Sequence, residues 1–166
     1  MPNRNYILTA DAAQHKLSRL ALEIAEHLAE DESPLVIIGV LHHGMVIAEK
    51  ITALVKKHLS LPVELISMEM NKDLPADIVL SKDVDFTGKN VIIVDDVTNS
   101  GKTLLYALKP LLDYHPKRVQ TLVLVERMHK LYPVKSDYVG LSIATTLQDH
   151  ICVEVENGEV RGAYVV

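Results

Sequence analysis

Apolar residues recur along this chain in two rhythms. From Asp11 to Asp31, Leu17, Leu20, Ala21, Ile24 and Leu28 return every three or four positions, the spacing of one helical face. Thr9 or Asp11 is placed to cap that helix, and Ser33-Pro34 breaks it. Leu35–Val40 (LVIIGV) is unbroken apolar sequence, the pattern of a strand buried on both faces. Leu41-His42-His43-Gly44 then leads into a second helix from about Met45 to His58, with Val46, Ile47, Ile51, Leu54 and Val55 apolar. Val63–Met70 predicts another strand, and the polar stretch Asn71–Val84, with Pro75 inside it, predicts a mobile loop. Val91-Ile92-Ile93-Val94 is a second buried strand. Leu104, Leu105, Leu108, Leu111 and Leu112 predict the core face of a helix opening at Lys102 and ending near Asp113, with Pro116 as its stop. Val119–Val125 is a further strand, with a short extended piece around Tyr138-Val139-Gly140. Ile151–Val155 and Val160–Val166 predict a closing hairpin about the turn dipeptide Asn157-Gly158. Such alternation predicts an α/β fold, a mostly parallel sheet with right-handed crossovers.

Composition narrows the picture. A chain of 166 residues, 48% hydrophobic, is expected to fold as one domain over its whole length. No apolar run is long enough to span a bilayer, and MPNRNYILTADAAQ lacks the basic-then-apolar form of a secretory signal. One cysteine, Cys152, excludes an internal disulfide and suits a reducing, cytoplasmic setting; within Ile151-Cys152-Val153 it is expected to be a core thiol. No Cys/His metal-ligand spacing occurs. A net charge of −5 argues against a dominant nucleic-acid surface.

The chemistry concentrates in Val91–Thr103, VIIVDDVTNSGKT. A buried strand ends in two carboxylates, Asp95 and Asp96, followed by the small polar turn Thr98-Asn99-Ser100-Gly101 and the helix start Lys102-Thr103. Backbone N–H groups in such a turn, the hydroxyls of Thr98, Ser100 and Thr103, and a helix N-terminus together cradle an anion. Two aspartates would repel a bare phosphate. They suit a sugar phosphate, whose hydroxyls donate to the carboxylates while the phosphate sits in the turn. Mg²⁺ also suits a site of carboxylate and phosphate oxygens. The residues therefore point to a ribose-phosphate site at the carboxyl end of a parallel strand.

VIIVDDVTNSGKT resembles the phosphoribosyl-diphosphate (PRPP) signature of type I phosphoribosyltransferases. The resemblance implies that family's α/β fold, a central sheet flanked by helices with a small hood, and transfer of 5-phosphoribosyl from PRPP to a nucleobase with release of pyrophosphate. It implies Asp95 and Asp96 as the catalytic carboxylates holding the ribose hydroxyls, and Thr98, Asn99, Ser100, Gly101, Lys102 and Thr103 as the 5′-phosphate loop. Mg²⁺ would enter with PRPP, approached only indirectly by the two aspartates. Leu41, His42, His43 and Gly44 stand where the family binds pyrophosphate, in a loop that often holds a strained or cis peptide; the relatives place Arg or Lys where this chain has histidines. Lys72 and Lys82 are the expected cationic contacts of a loop closing over the site.

The likeness is nearest the PyrR family, pyrimidine-operon attenuators with uracil phosphoribosyltransferase activity. Leu124–Gly140 (LVERMHKLYPVKSDYVG) resembles its D-R-x-H-R-x-L-P-[IV]-x-x-D-Y-[IV]-G stretch without a gap, and Ile7-Leu8-Thr9, Ala144-Thr145-Thr146 and Asp149–Glu154 extend it. This implies base contacts at Arg127, His129, Tyr138 and Val139, and homo-oligomers. Asn99 replaces an Asp, and Glu126 a Lys, of the hypoxanthine-guanine enzymes, which favours uracil over a 6-oxopurine. Arg19, His129, Lys130 and Lys135 match parts of the PyrR RNA-binding face, so an RNA-binding regulator is a second expectation. A non-catalytic member that binds a nucleotide or PRPP is a third.

Overall fold

A computed structural model describes residues 4–71, 73, 77–146 and 148–166. In chain order the elements are β1 (Asn5–Thr9), α1 (Ala10–His27), β2 (Leu35–Val40), α2 (His43–Val55), β3 (Val63–Met70), β4 (Ile78–Leu80) and β5 (Asn90–Thr98). There follow α3 (Lys102–Ala107), a 3₁₀ turn (Lys109–Leu111), β6 (Arg118–Arg127), β7 (Tyr138–Ile143), β8 (Ile151–Glu156) and β9 (Glu159–Val165). Among the described residues a six-stranded sheet has the order β4-β3-β2-β5-β6-β7, and only the β3–β4 pair is antiparallel. A three-stranded antiparallel sheet, β1-β9-β8, forms the hood.

The unbroken apolar runs work because both faces of the large sheet are covered. Ile37, Ile92, Val94 and Leu122 point into a core with Leu17, Leu20 and Ile24 of α1 and Ile47 and Ile51 of α2. Their strand neighbours Val36, Ile38, Val91 and Ile93 point the other way, into a core with Phe86, Leu104 and Leu111. Period two along each strand divides the apolar set between the two layers. Thr9 caps α1, its Oγ1 accepting the Ala12 N–H at 3.2 Å.

Several expectations change. α1 closes at His27, short of Asp31, and residues 28–30 form a turn. The stretch expected to be a mobile loop contains β4, which pairs Ile78–Leu80 with Met68–Met70. The leucine run after the central strand is not one helix. Pro110 has no N–H to continue it, α3 gives way to the 3₁₀ turn, and the changed pitch leaves Leu112 77% exposed rather than in the core. The closing hairpin turns at Asn157 and Gly158, which have φ of 52° and 74°.

Position in the sheet decides where a ligand fits. β2 has β3 on one side and β5 on the other, so the loops leaving β2 and β5 diverge at the carboxyl edge. That divergence is a topological switch point and opens a crevice.

Tyr138 anchors α1 to the sheet. It is 1% exposed, and its hydroxyl donates to Gln120 Oε1 at 3.1 Å while accepting from His27 Nδ1 at 2.8 Å. Burial pushes this hydroxyl up to about 12, against about 10 in the unfolded chain. The neutral form is the one the fold favours, so its contribution is complete below pH ~10 and is lost as pH rises towards ~12. Tyr138→Phe should cost about 1 kcal/mol at pH 7. Urea unfolding should also show the wild type losing stability faster than the variant between pH ~10 and ~12, by up to ~1.4 kcal/mol per pH unit; parallel profiles would contradict the assignment.

Candidate active site

β5 runs past its apolar stretch, so the two aspartates lie inside the strand rather than after it. Asp95 and Asp96 are 1% and 5% exposed. Asp95 Oδ1 accepts the Asp96 N–H at 2.9 Å, and Asp96 Oδ2 lies 3.3 Å from His43 Nδ1. The start of α2 presses against this strand end. A Cβ on Gly44 would lie 2.8 Å from the Val94 carbonyl oxygen and 3.0 Å from Asp95 Oδ1, so only glycine fits there. The Leu41–His42 peptide is cis.

The loop after β5 is held from several sides. Gly101 adopts φ 86° as the residue before α3, a left-handed conformation that glycine takes without strain. Ser100 Oγ accepts the Lys102 N–H at 3.2 Å. The Ser100 carbonyl accepts the N–H groups of Leu131 and Tyr132, both at 3.0 Å. Thr98 Oγ1 is buried without a partner at the mouth of the loop. α3 has only six residues, so its dipole is short and the loop N–H groups and Lys102 carry more of the anion-binding character.

Two clefts meet here. One, of about 620 Å³, is lined by Thr98 to Leu104 on one side and by His150, Ile151, Cys152, Val153 and Tyr164 on the hood side. The other, of about 370 Å³, is lined by Leu41, His42, His43, Glu69, Met70 and Asp96. His43 and Asp96 line both, so the two clefts meet across Asp96, with Asp95 buried beneath it and lining neither.

The structure therefore brings Asp96, the loop from Thr98 to Thr103 and Leu41, His42 and His43 to the groove, while Asp95 lies buried behind Asp96 and against Gly44. It does not bring the remaining expected residues into the groove. Tyr138 and Val139 begin β7, the edge strand two places from β5, in register through β6 with Val94 and Asp95; Tyr138 is bonded to His27 and Gln120, and the Val139 carbonyl accepts from Arg19. Arg127 ends β6 with its guanidinium on the Asp149 carbonyl and its Nε buried and unpartnered. His129 is exposed in the bend after β6. Lys82 pairs with Glu64, near the amino end of β3 and so at the far edge, because β4 carries the chain back down the sheet. Lys72 lies outside the described residues. Of that same segment, Asp73 lines the larger cleft, and its carbonyl accepts from Lys102 Nζ at 3.0 Å.

The hood wall was not anticipated. Cys152 is half-buried and faces the groove, because strand alternation sends Ile151 and Val153 into the core and Cys152 the other way. Nothing in the local sequence of His150 or Tyr164 marks them; the out-of-phase position of Cys152 was the available signal. Just before β8, hydrogen bonds from the Thr146 side chain and N–H hold the Asp149 carboxyl below the usual range. Glu126 is buried, with Lys130 Nζ at 2.6 Å and the Ser136 N–H at 3.2 Å. Lys130 therefore packs against Gly101 in the loop after β5 instead of presenting an open basic face.

No group of three or more His, Cys, Asp or Glu able to hold a metal occurs among the described residues. Two adjacent carboxylates beside an anion loop do fit Mg²⁺ that arrives on a phosphorylated substrate, since that ion keeps most of its shell in water and phosphate oxygens.

The phosphoribosyl transferase domain family matches residues 4–157. Proteins named bifunctional protein PyrR are 31% identical in Roseiflexus sp. strain RS-1, over 96% of this chain and 93% of that protein, and 33% identical in Chloroflexus aurantiacus, over 93% and 90%. The crystal structure of the hypoxanthine phosphoribosyltransferase of Trypanosoma cruzi superimposes with a TM-score of 0.81 at 19% identity, covering 97% of this chain and 95% of that one. A hypoxanthine-guanine phosphoribosyltransferase from Bacillus anthracis superimposes with a TM-score of 0.73 at 25% identity, covering 98% and 97%.

Gly44→Ala tests the close approach of α2 to the carboxylates. The added methyl should destabilise the fold by about 1–3 kcal/mol in urea unfolding, because neither the Val94 carbonyl nor the start of α2 can yield cheaply. An unchanged midpoint would show that the helix start is not fixed against β5.

Proposed function

The chain belongs to the phosphoribosyl transferase domain family, close to the PyrR proteins and with the type I fold, and we propose that it transfers 5-phosphoribosyl from PRPP to a nucleobase, uracil favoured. The observation that carries the proposal is the single groove in which an anion loop and a second cleft are joined across Asp96 and His43. PRPP has that outline: phosphate, sugar, pyrophosphate.

In this reading the 5′-phosphate accepts N–H bonds from the loop of Asn99 to Thr103, with Lys102 and the Thr103 hydroxyl beside it. The ribose 2′- and 3′-hydroxyls donate to Asp95 and Asp96. The pyrophosphate lies along Leu41 to Gly44, where His42 and His43 supply imidazole N–H donors in place of a cationic side chain. Asp95 and Asp96 would approach Mg²⁺ entering with PRPP only indirectly, and the ion would supply charge neutralisation to the leaving group. A base nitrogen bonds to C1′ as the bond from C1′ to the pyrophosphate oxygen breaks, and the proton that nitrogen carried leaves with the pyrophosphate. The protein's share is to align the partners and to place carboxylate charge beside the sugar as positive charge develops. The base would lie against the hood wall of His150 to Val153. Arg127 would act from behind it by holding Asp149.

Uracil is favoured by two residues. Asn99 has no basic oxygen for the purine role of an aspartate, and the Glu126 carboxylate is closed in with Lys130 where a purine enzyme presents a lysine. The RNA-regulator reading has less support, since Arg19 is engaged by Glu23 and by the Val139 and Gly140 carbonyls and Lys130 is paired with Glu126.

Pyrophosphate release with PRPP and Mg²⁺ should occur with uracil and not with hypoxanthine, guanine, xanthine, adenine or orotate. Asp95→Asn with Asp96→Asn should weaken PRPP binding by about a hundredfold or more, the loss of two charge-assisted hydrogen bonds. Unchanged affinity would remove the ribose role, and turnover with a purine would overturn the base assignment.

A further inference from the structure

β8 is an edge strand: it pairs with β9 on one side only. His150 exchanges both backbone hydrogen bonds with Val166, so the next residue, Ile151, turns its N–H and C=O outward towards the phosphate loop. Those two groups are met by one side chain. Asn99 Oδ1 accepts the Ile151 N–H at 3.1 Å, and Asn99 Nδ2 donates to the Ile151 carbonyl at 3.2 Å. The carboxamide thus closes the strand edge as a neighbouring strand would. Ile151 itself is fully buried in the core, so the clamp joins a fixed point of the hood to the middle of the anion loop.

We propose that Asn99 is a positioning residue that couples occupancy of the phosphate loop to the base-facing wall of the hood. This rests on the phosphoribosyl reading of the groove. Both ends of the carboxamide are engaged, so Asn99 does not read the base. It sets the place of residues 150–153, which do face the larger cleft. A ligand phosphate that tightens the loop tightens the Ile151 bonds in turn, and the wall is assembled before the base arrives. Asparagine suits this role where aspartate does not. An aspartate would still accept the Ile151 N–H, but its second oxygen would face the Ile151 carbonyl with no hydrogen between them.

The test is hydrogen exchange at the Ile151 amide with ribose 5-phosphate as probe, in the wild type, Asn99→Ala and Asn99→Asp. The wild-type amide should exchange about tenfold more slowly than in Asn99→Ala, with Asn99→Asp between them. With each protein saturated, ribose 5-phosphate should slow wild-type exchange further and leave Asn99→Ala unaffected, and the KM for the base should rise about tenfold in that variant. If Asn99→Ala does not fold, the Asn99→Asp comparison and the wild-type response to ribose 5-phosphate decide alone. Equal Ile151 exchange in wild type and variant, or no wild-type response to bound ribose 5-phosphate, overturns the coupling and leaves the phosphoribosyl reading in place. Failure of ribose 5-phosphate to bind the wild type overturns that reading and the coupling with it.

Discussion

Burying two adjacent carboxylates at the end of a central strand is costly, and much of the surrounding structure answers that cost. Asp95 takes the backbone N–H of its neighbour, and Asp96 faces the His43 imidazole. Gly44 carries no side chain because the carboxylate of Asp95 and the Val94 carbonyl occupy the space. The start of α2 can approach β5 only on that condition. The switch point between β2 and β5 therefore becomes a groove floored by acceptors, which donors on a sugar complement.

A second dependence runs through the anion loop. Three segments remote in sequence hang from a few of its atoms: β8 from the Asn99 side chain, the 131–132 turn from the Ser100 carbonyl, and Asp73 from Lys102. Around this hub the apolar layers are conventional, and Tyr138 with His27 and Gln120 holds the outer helix at the other edge of the sheet. Stability lies in the layers, whereas ligand-facing geometry lies in the loop and what it supports.

The strands β2 and β5, both long helices and the glycine turn at Gly101 were legible in the sequence because each has a local cause. Unbroken apolar runs need two covered faces, helical spacing needs one, and Gly101 answers a local backbone demand. What the sequence withheld depends on pairing at a distance. β4 lies in polar sequence and exists through its ladder with β3. That ladder reverses the chain and takes Lys82 to the wrong edge for the site. Lys130, expected on an RNA-binding face, instead closes onto the Glu126 carboxylate. The hood wall lies in a stretch that extends the PyrR likeness, yet no residue type there marks a site: Cys152 faces the groove by strand phase, and Tyr164 by its pairing with Cys152 across the β8–β9 ladder. Tyr138 and Val139 belonged to a recognisable stretch, yet in β7 their polar groups are taken up by His27, Gln120 and Arg19 rather than by the groove.

The most direct measurement is a crystal structure with uridine 5′-monophosphate, the product of the proposed transfer. The account places the phosphate on the N–H groups of residues 99–103, the ribose hydroxyls on Asp95 and Asp96, and the base against residues 150–153. A nucleotide bound elsewhere, or one whose ribose hydroxyls turn away from both aspartates, would contradict it.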